Sequence, residues 1–181
     1  SYMALALARF KSAESEEALI TGTSDVSEEV RVHSVWALAS LGATKAIPDI
    51  RLHMKDEAES VRKIAAYTLG ALGCKDCALA LRAALKDEAS DVRWNSALAL
   101  ARLGDDGGLD ILMSMLERDE LENRYKMNEP AIEAVMTNAL KGLALIKNAK
   151  SAKILASISK NDKNMRVRQA ALTAMESLKN V

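Results

Sequence analysis

The chain has 181 residues, 49% apolar but only 3% aromatic, with 25 basic and 25 acidic side chains. That length supports a substantial core built from Ala and Leu, and the zero net charge argues against a general nucleic-acid binder, which carries a basic excess. No stretch approaches the roughly 18 apolar residues of a membrane span, no leader peptide is recognisable and two cysteines are too few for a disulfide scaffold, so the expected setting is the cytoplasm, without a membrane partner.

The first element is a partial repeat over residues 1–25, where Ala6, Leu7 and Phe10 stand 31 residues before Ala37, Leu38 and Leu41. Full repeats follow over 26–56, 57–87 and 88–118. Val30-Arg31, Val61-Arg62 and Val92-Arg93 recur at 31 residues, as do Leu41-Gly42, Leu72-Gly73 and Leu103-Gly104. A fixed period of this size marks a stacked-helix array. From each valine, small or apolar residues at offsets 4, 7, 8 and 11 fall on one side of a helix, and each glycine stands where that helix should stop. A second amphipathic segment comes next, at 46–55, 77–86 and 108–117. Each unit is thus a helical hairpin.

The interval from Val92 to Ile132 is 40 residues, nine longer than the period. The excess, 119–131, is expected to be an exposed loop, with a binding role as the less favoured alternative. A degenerate repeat over 132–162 has Ile132, Met136, Ala139, Leu140 and Leu143 on its first helix, with Ile154 and Ile158 on its second. A terminal helix over 163–181 carries Val167, Ala171, Ala174, Met175 and Leu178. All these elements are expected to form a single domain, 1–181.

The stretch from Asp56-Glu57-Ala58-Glu59-Ser60-Val61-Arg62 through Ala65-Ala66 to Leu69-Gly70-Ala71-Leu72-Gly73 resembles the short HEAT-like repeats of phycobilisome lyase subunits and many bacterial proteins. Asp87 to Gly104 repeats it, with Ser96-Ala97 for the alanine pair. The fourth copy departs, with Met127, Glu133 and Ala144 in place of the Asp, Arg and Gly. The resemblance implies an all-α fold, a right-handed α-α superhelix (α-solenoid) of about four to five HEAT-like helical hairpins. It does not imply one function, because this repeat serves many tasks.

Asp25, Asp56, Asp87 and Asp162 each precede a repeat valine by five residues, and Arg31, Arg62, Arg93 and Arg168 each follow one directly. Such a row could bind phosphates or carboxylates. Regular matching of opposite charges favours a structural ladder, in which aspartates accept from helix-start amides and pair with arginines of the same or an adjacent repeat. Cys74-Lys75-Asp76-Cys77 aligns with Ala43 and Ala46 of the preceding copy and reads as two small packing residues, with redox exchange or an intermolecular metal site as the alternative. His33 and His53 lack the neighbouring glutamates of the iron-dependent deoxyhypusine hydroxylase, which has similar repeats. No catalytic set, metal site or cofactor site is recognisable from spacing.

In arrays of this family the second helices line the concave surface. Outward offsets there place Leu52, Lys55, Leu79 and Lys86 on that side, flanked by Arg51, Arg82 and Met113. These seven are the candidate partner-binding residues, with small and apolar groups as floor and cations along one margin; the bland alternative is an ordinary helix surface. Trp36 and Trp94 fall on first-helix positions expected to face outward, each lying over alkyl chains rather than anchoring an interface. The function expected is a non-catalytic protein–protein interaction scaffold with an acidic peptide or protein ligand. The alternatives are an enzyme component such as a bilin lyase subunit, or a nucleic-acid binder through the basic end, residues 141–181, with 9 basic against 2 acidic residues.

Overall fold

Three successive first helices start 31 residues apart and hold one another by their small side chains. The structure, a computed structural model, describes residues 12–179. The partial repeat's Ala6, Leu7 and Phe10 lie outside them. All regular secondary structure among the described residues is helical, as in an α-solenoid. The chain divides into two compact units, Ser1–Leu103 and Gly104–Val181.

In the first unit, α1 (Ala13–Gly22) is followed by α2 (Glu28–Leu41), α3 (Ile47–Leu52), α4 (Glu59–Ala71), α5 (Ala78–Ala84) and α6 (Ser90–Arg102). The long helices α2, α4 and α6 are the first helices of successive repeats, and α4 packs against both of the others. The second helices α3 and α5 are each led in by a 3₁₀ turn, at Thr44–Ala46 and Lys75–Cys77. Ser12 caps α1 by accepting from the Ser15 amide, and Pro48 is the second residue of α3, in the first turn where a missing N–H costs nothing. Gly42 ends α2 with φ +70°, a left-handed turn that a Cβ would oppose.

The hydrophobic stripe is where the periodicity places it, with one shift. Ser34, Ala37 and Leu38, then Ala65, Thr68 and Leu69, then Ser96, Ala99 and Leu100 are all buried. The offset-11 leucines Leu41, Leu72 and Leu103 are only half-buried, because each helix is ending there. Ile50 and Leu81 close the core from the second helices. Burying each such leucine stabilises the fold by roughly 1.5–3 kcal/mol.

The second unit holds α7 (Leu109–Ser114), α8 (Arg118–Asn123), α9 (Glu129–Ile146), α10 (Ala149–Asn161) and α11 (Met165–Lys179). Asn128 and Asn148 cap α9 and α10 by accepting from the Ala131 and Ser151 amides. Ile132, Met136, Ala139, Leu140 and Leu143 are buried as expected. Two expectations are corrected. The segment 119–131 is not simply an exposed loop: residues 119–123 fold within α8, whose Leu121 is fully buried. On α10 the buried positions are Ser151 and Leu155, while Ile154 and Ile158 sit half-buried at the flanks.

Gly70 marks the closest approach of α4 and α6. A Cβ added there would stand 2.6 Å from both Cα and Cβ of Ala99, and backbone cannot give way as a flexible side chain can. Gly70→Ala should therefore force the helices apart and cost about 1–3 kcal/mol of unfolding free energy in urea titration. An unchanged midpoint and slope would show that this spacing does not depend on the glycine.

Candidate functional site

The charged row comes first, because its arrangement decides which ions are left for a ligand. Arg31 on α2 reaches into the next repeat and donates to both carboxylate oxygens of Asp56, from Nε at 3.0 Å and Nη2 at 2.9 Å. Arg62 on α4 grips Asp87 in the same way, at 2.8 and 3.0 Å. The remaining nitrogen, Nη1, donates to two carbonyls in the arginine's own leading turn: Asp25 and Val26 for Arg31, Asp56 and Glu57 for Arg62. Each aspartate also accepts the amide two residues on, which orders the turn before the next helix. Partial burial pushes the carboxyls of Asp56 and Asp87 up. Hydrogen bonds from the arginine and that amide, with the arginine's charge, outweigh it and hold both below the ordinary carboxylate value. These ions are committed to one another.

The second unit builds its clasp differently. Glu133 stands where the repeat has arginine, and the guanidinium comes instead from Arg118 of α8, which donates to Asp162 at 2.9 Å and to Glu129 at 2.7 Å. The inserted helix is therefore a working part of this unit's ion network.

The second-helix surface of the first unit is less committed. A cleft of about 490 Å³ opens between α3 and α5, lined by Arg51, Leu52, Met54, Lys55, Ala80, Ala83, Ala84, Lys86 and Asp87. Alanines make one wall. Arg51, Lys55 and Lys86 are exposed at it, and the only carboxylate, Asp87, is already gripped by Arg62. Four of the seven candidate residues, Arg51, Leu52, Lys55 and Lys86, thus line a common cleft. Leu79, 82% exposed, and Arg82 lie outside its lining on the same helix α5. Met113 belongs to α7 in the second unit and is half-buried. Met54 and Ala84 escaped the sequence reading because their offsets face the core; they meet the cleft from its inner edge.

Other candidates resolve individually. Cys74 and Cys77 form a disulfide across the turn before α5, and both are buried in the same core as Ala43 and Ala46, the residues they replace. His53 Nδ1 lies 3.4 Å from Asp56, and His33 Nδ1 lies 2.7 Å from the Glu29 carbonyl. Among the described residues no group of three or more His, Cys, Asp or Glu is placed to hold a metal ion. None of their helices is long and apolar enough to cross a membrane. Trp36 faces outward at 41% exposure, but Trp94 is buried at 7%, contrary to expectation. Val32 and Lys63, at the same offset as Trp94, are half-buried. That position lies at the edge of the stripe, where a large indole becomes covered.

The family profile described as HEAT repeats matches residues 1–66 and 50–128. No curated protein matches the sequence. The fold is similar to that in the complex of CpcE and CpcF of phycocyanin lyase from Nostoc sp., with TM-score 0.72, 20% identity and 92% of this chain covered. This chain spans 65% of that one's length. A designed armadillo repeat protein in complex with the peptide (KR)4 is similar at TM-score 0.55 and 18% identity, over 97% of this chain and 91% of that one. An engineered protein gives TM-score 0.59 at 18% identity, over 98% and 91%.

The clasp makes stability pH-dependent in a definite direction. A carboxyl held low in the folded state stabilises it above the unfolded-state value of about 4 and loses that contribution as pH falls through the folded-state value. Asp87→Asn should be less stable than wild type by about 2 kcal/mol at pH 7, with the gap narrowing as pH is lowered below about 4. Urea unfolding across pH measures both; a gap independent of pH would show that the Asp87 charge is not what stabilises.

Proposed function

The chain belongs to the HEAT-repeat family, and from that premise we propose that it is a non-catalytic interaction scaffold, taking an acidic peptide or protein segment on the second-helix surface of its first unit. The observation that carries this reading is the cleft between α3 and α5. Arg51, Lys55 and Lys86 supply positive charge without a competing free carboxylate, since Asp87 is bound by Arg62. The alanine wall and the exposed side chain of Leu52 supply apolar contact beside it. A segment alternating carboxylates with apolar side chains satisfies both features: its charges meet the rim and its apolar groups cover the alanines. Leu79 and Arg82, also exposed on α5, extend the same surface. The designed armadillo protein holding (KR)4 is a solenoid with a charged peptide as ligand. With cations on the rim, the matching peptide here has the opposite sign.

The second reading is a component of an enzyme, such as a bilin lyase subunit, and the likeness to the CpcE–CpcF complex favours it at the level of fold. Bilin absorbance that shifts on adding the protein would put this reading ahead.

The test uses a labelled peptide of alternating glutamate and leucine, with a lysine–leucine peptide as control, followed by fluorescence anisotropy. The acidic peptide should bind and weaken with added salt. Arg51→Glu with Lys86→Glu should reduce its affinity by on the order of tenfold or more, while Lys153→Glu on α10 leaves it unchanged. Equal binding of both peptides, or insensitivity to the double reversal, would refute the proposed site.

A further inference from the structure

The turn before α5 carries a covalent bond that its counterparts do without. The Cys74–Cys77 disulfide joins residues three apart, with Cα atoms 5.3 Å from each other, across the 3₁₀ turn Lys75–Cys77. The same turn forms at Thr44–Ala46 and at Asp106–Gly108, where Ala43 and Ala46, or Asp105 and Gly108, stand at the cysteine positions. Its backbone bonds are the same without sulfur. The Ala43 amide donates to Leu38 at 3.0 Å and the Ala46 amide to Ala43 at 3.1 Å. The Cys74 amide donates to Leu69 at 3.1 Å and the Cys77 amide to Cys74 at 3.0 Å. A bridge closing so short a loop also removes little freedom from the unfolded chain, compared with one that ties distant segments. Two thiols are small and apolar enough for core sites that take alanine in the preceding repeat. The turn therefore accommodates the bridged and the reduced pair alike.

Access to the pair is one-sided. Cys77 is 1% exposed and lies in the core with Leu81, whereas Cys74 is 7% exposed. Before Cys74 stands Gly73, exposed, with nothing within 4 Å of where a Cβ would be. After it stands Lys75, also exposed. An approaching thiolate meets an edge bare of side chain on one side and an ammonium on the other, and the cysteine between them is Cys74.

We propose that Cys74–Cys77 is a redox-active site that exchanges with an external dithiol, entered through Cys74, while the unit around it stays folded. A thiolate of the dithiol attacks Sγ of Cys74; the S–S bond breaks, and its electron pair leaves on Cys77, which takes up a proton. The dithiol's second sulfur, as thiolate, then attacks its own first sulfur in the mixed disulfide and releases Cys74, which is protonated in turn. Two electrons pass to the protein: the dithiol becomes a disulfide, and the protein's disulfide becomes two thiols. A disulfide oxidant such as oxidised glutathione runs the exchange in reverse. The site does not depend on the proposed ligand cleft, which neither cysteine lines.

Thiol counting by maleimide mass shift tests the exchange. Wild type prepared without reductant should label only after dithiothreitol is added in native buffer, then at both cysteines, with its helical circular dichroism unchanged. Oxidised glutathione should restore the unlabelled form. Single variants separate the two sulfurs, and alanine at each site is what the preceding repeat already holds. Cys77→Ala, which keeps Cys74, should form a mixed disulfide with oxidised glutathione about tenfold faster or more than Cys74→Ala, which keeps only the buried Cys77. The proposal is overturned by thiols that oxidised glutathione does not close, or by a bridge that dithiothreitol opens only in urea. Loss of helical signal on reduction, or equal rates in the two variants, would overturn it as well.

Discussion

Arg31 on α2 and Arg62 on α4 each tie their helix to the following repeat, one guanidinium held on three sides. A lone arginine half-removed from water costs free energy, and so does a lone carboxylate. The clasp offsets both costs by making nearly every donor and acceptor count: two nitrogens of Arg62 go to Asp87, the third goes to the carbonyls of Asp56 and Glu57, and Asp87 also accepts the Ala89 amide. A single pair thereby orders the turn before one helix, the turn before the next and the distance between them. Hydrophobic packing alone would not do this, because a surface of alanines and leucines tolerates sliding. A bidentate pair does not. The alanine-rich core can therefore be smooth and still keep register.

That arrangement also divides the charges of the first unit into two populations. Asp56 and Asp87 are consumed by the first-helix arginines, and their negative charge is compensated where it stands. Arg51, Lys55 and Lys86 take no part in these clasps. Arg51, Lys55 and Lys86 surround a cleft whose one carboxylate is already occupied. A chain with zero net charge can in this way present a locally positive surface. Composition does not reveal it, since composition counts the clasped and unclasped ions alike.

What was legible in the residues follows from which interactions are local in sequence. The helix starts at Glu28, Glu59 and Ser90 reproduce the 31-residue period because glycine stops and the buried stripe are set within one turn or one helix. The aspartate–arginine matching was visible as a spacing, but its direction was not: Arg31 pairs with Asp56, 25 residues on, only because stacking brings that turn beside it. Trp94 was misplaced because angle on a helical wheel says nothing about how far an indole reaches into its neighbours. Ile154 and Ile158 look like the apolar face of α10, yet the helix is rotated so that Ser151 and Leu155 point inward. The cleft was partly legible, since outward offsets named four of its lining residues. The inner-edge residues Met54 and Ala84 were not, because a cleft wall combines outward positions of one helix with the margins of another's core face.

The insertion shows what the architecture requires and what it leaves free. By strict period, position 118 should carry the clasp aspartate, since it lies 31 after Asp87, and it carries arginine instead. In the register beyond the nine-residue insertion, position 133, directly after Ile132, should carry the clasp arginine and carries glutamate. Taken position by position the repeat has failed twice. In space the two exchanges belong together: Arg118, brought in by α8, grips Asp162, while Glu133 accepts from Asn164 and Arg166 of the turn that leads into α11. The pairing survives although the donor now comes from a different helix. Leu121 then gives α8 its own purchase on the core, so the inserted residues bury apolar surface and need not be carried as a loose loop. The closed ion pair at the turns leading into α4, α6 and α11 is thus kept, and the segment supplying it is secondary.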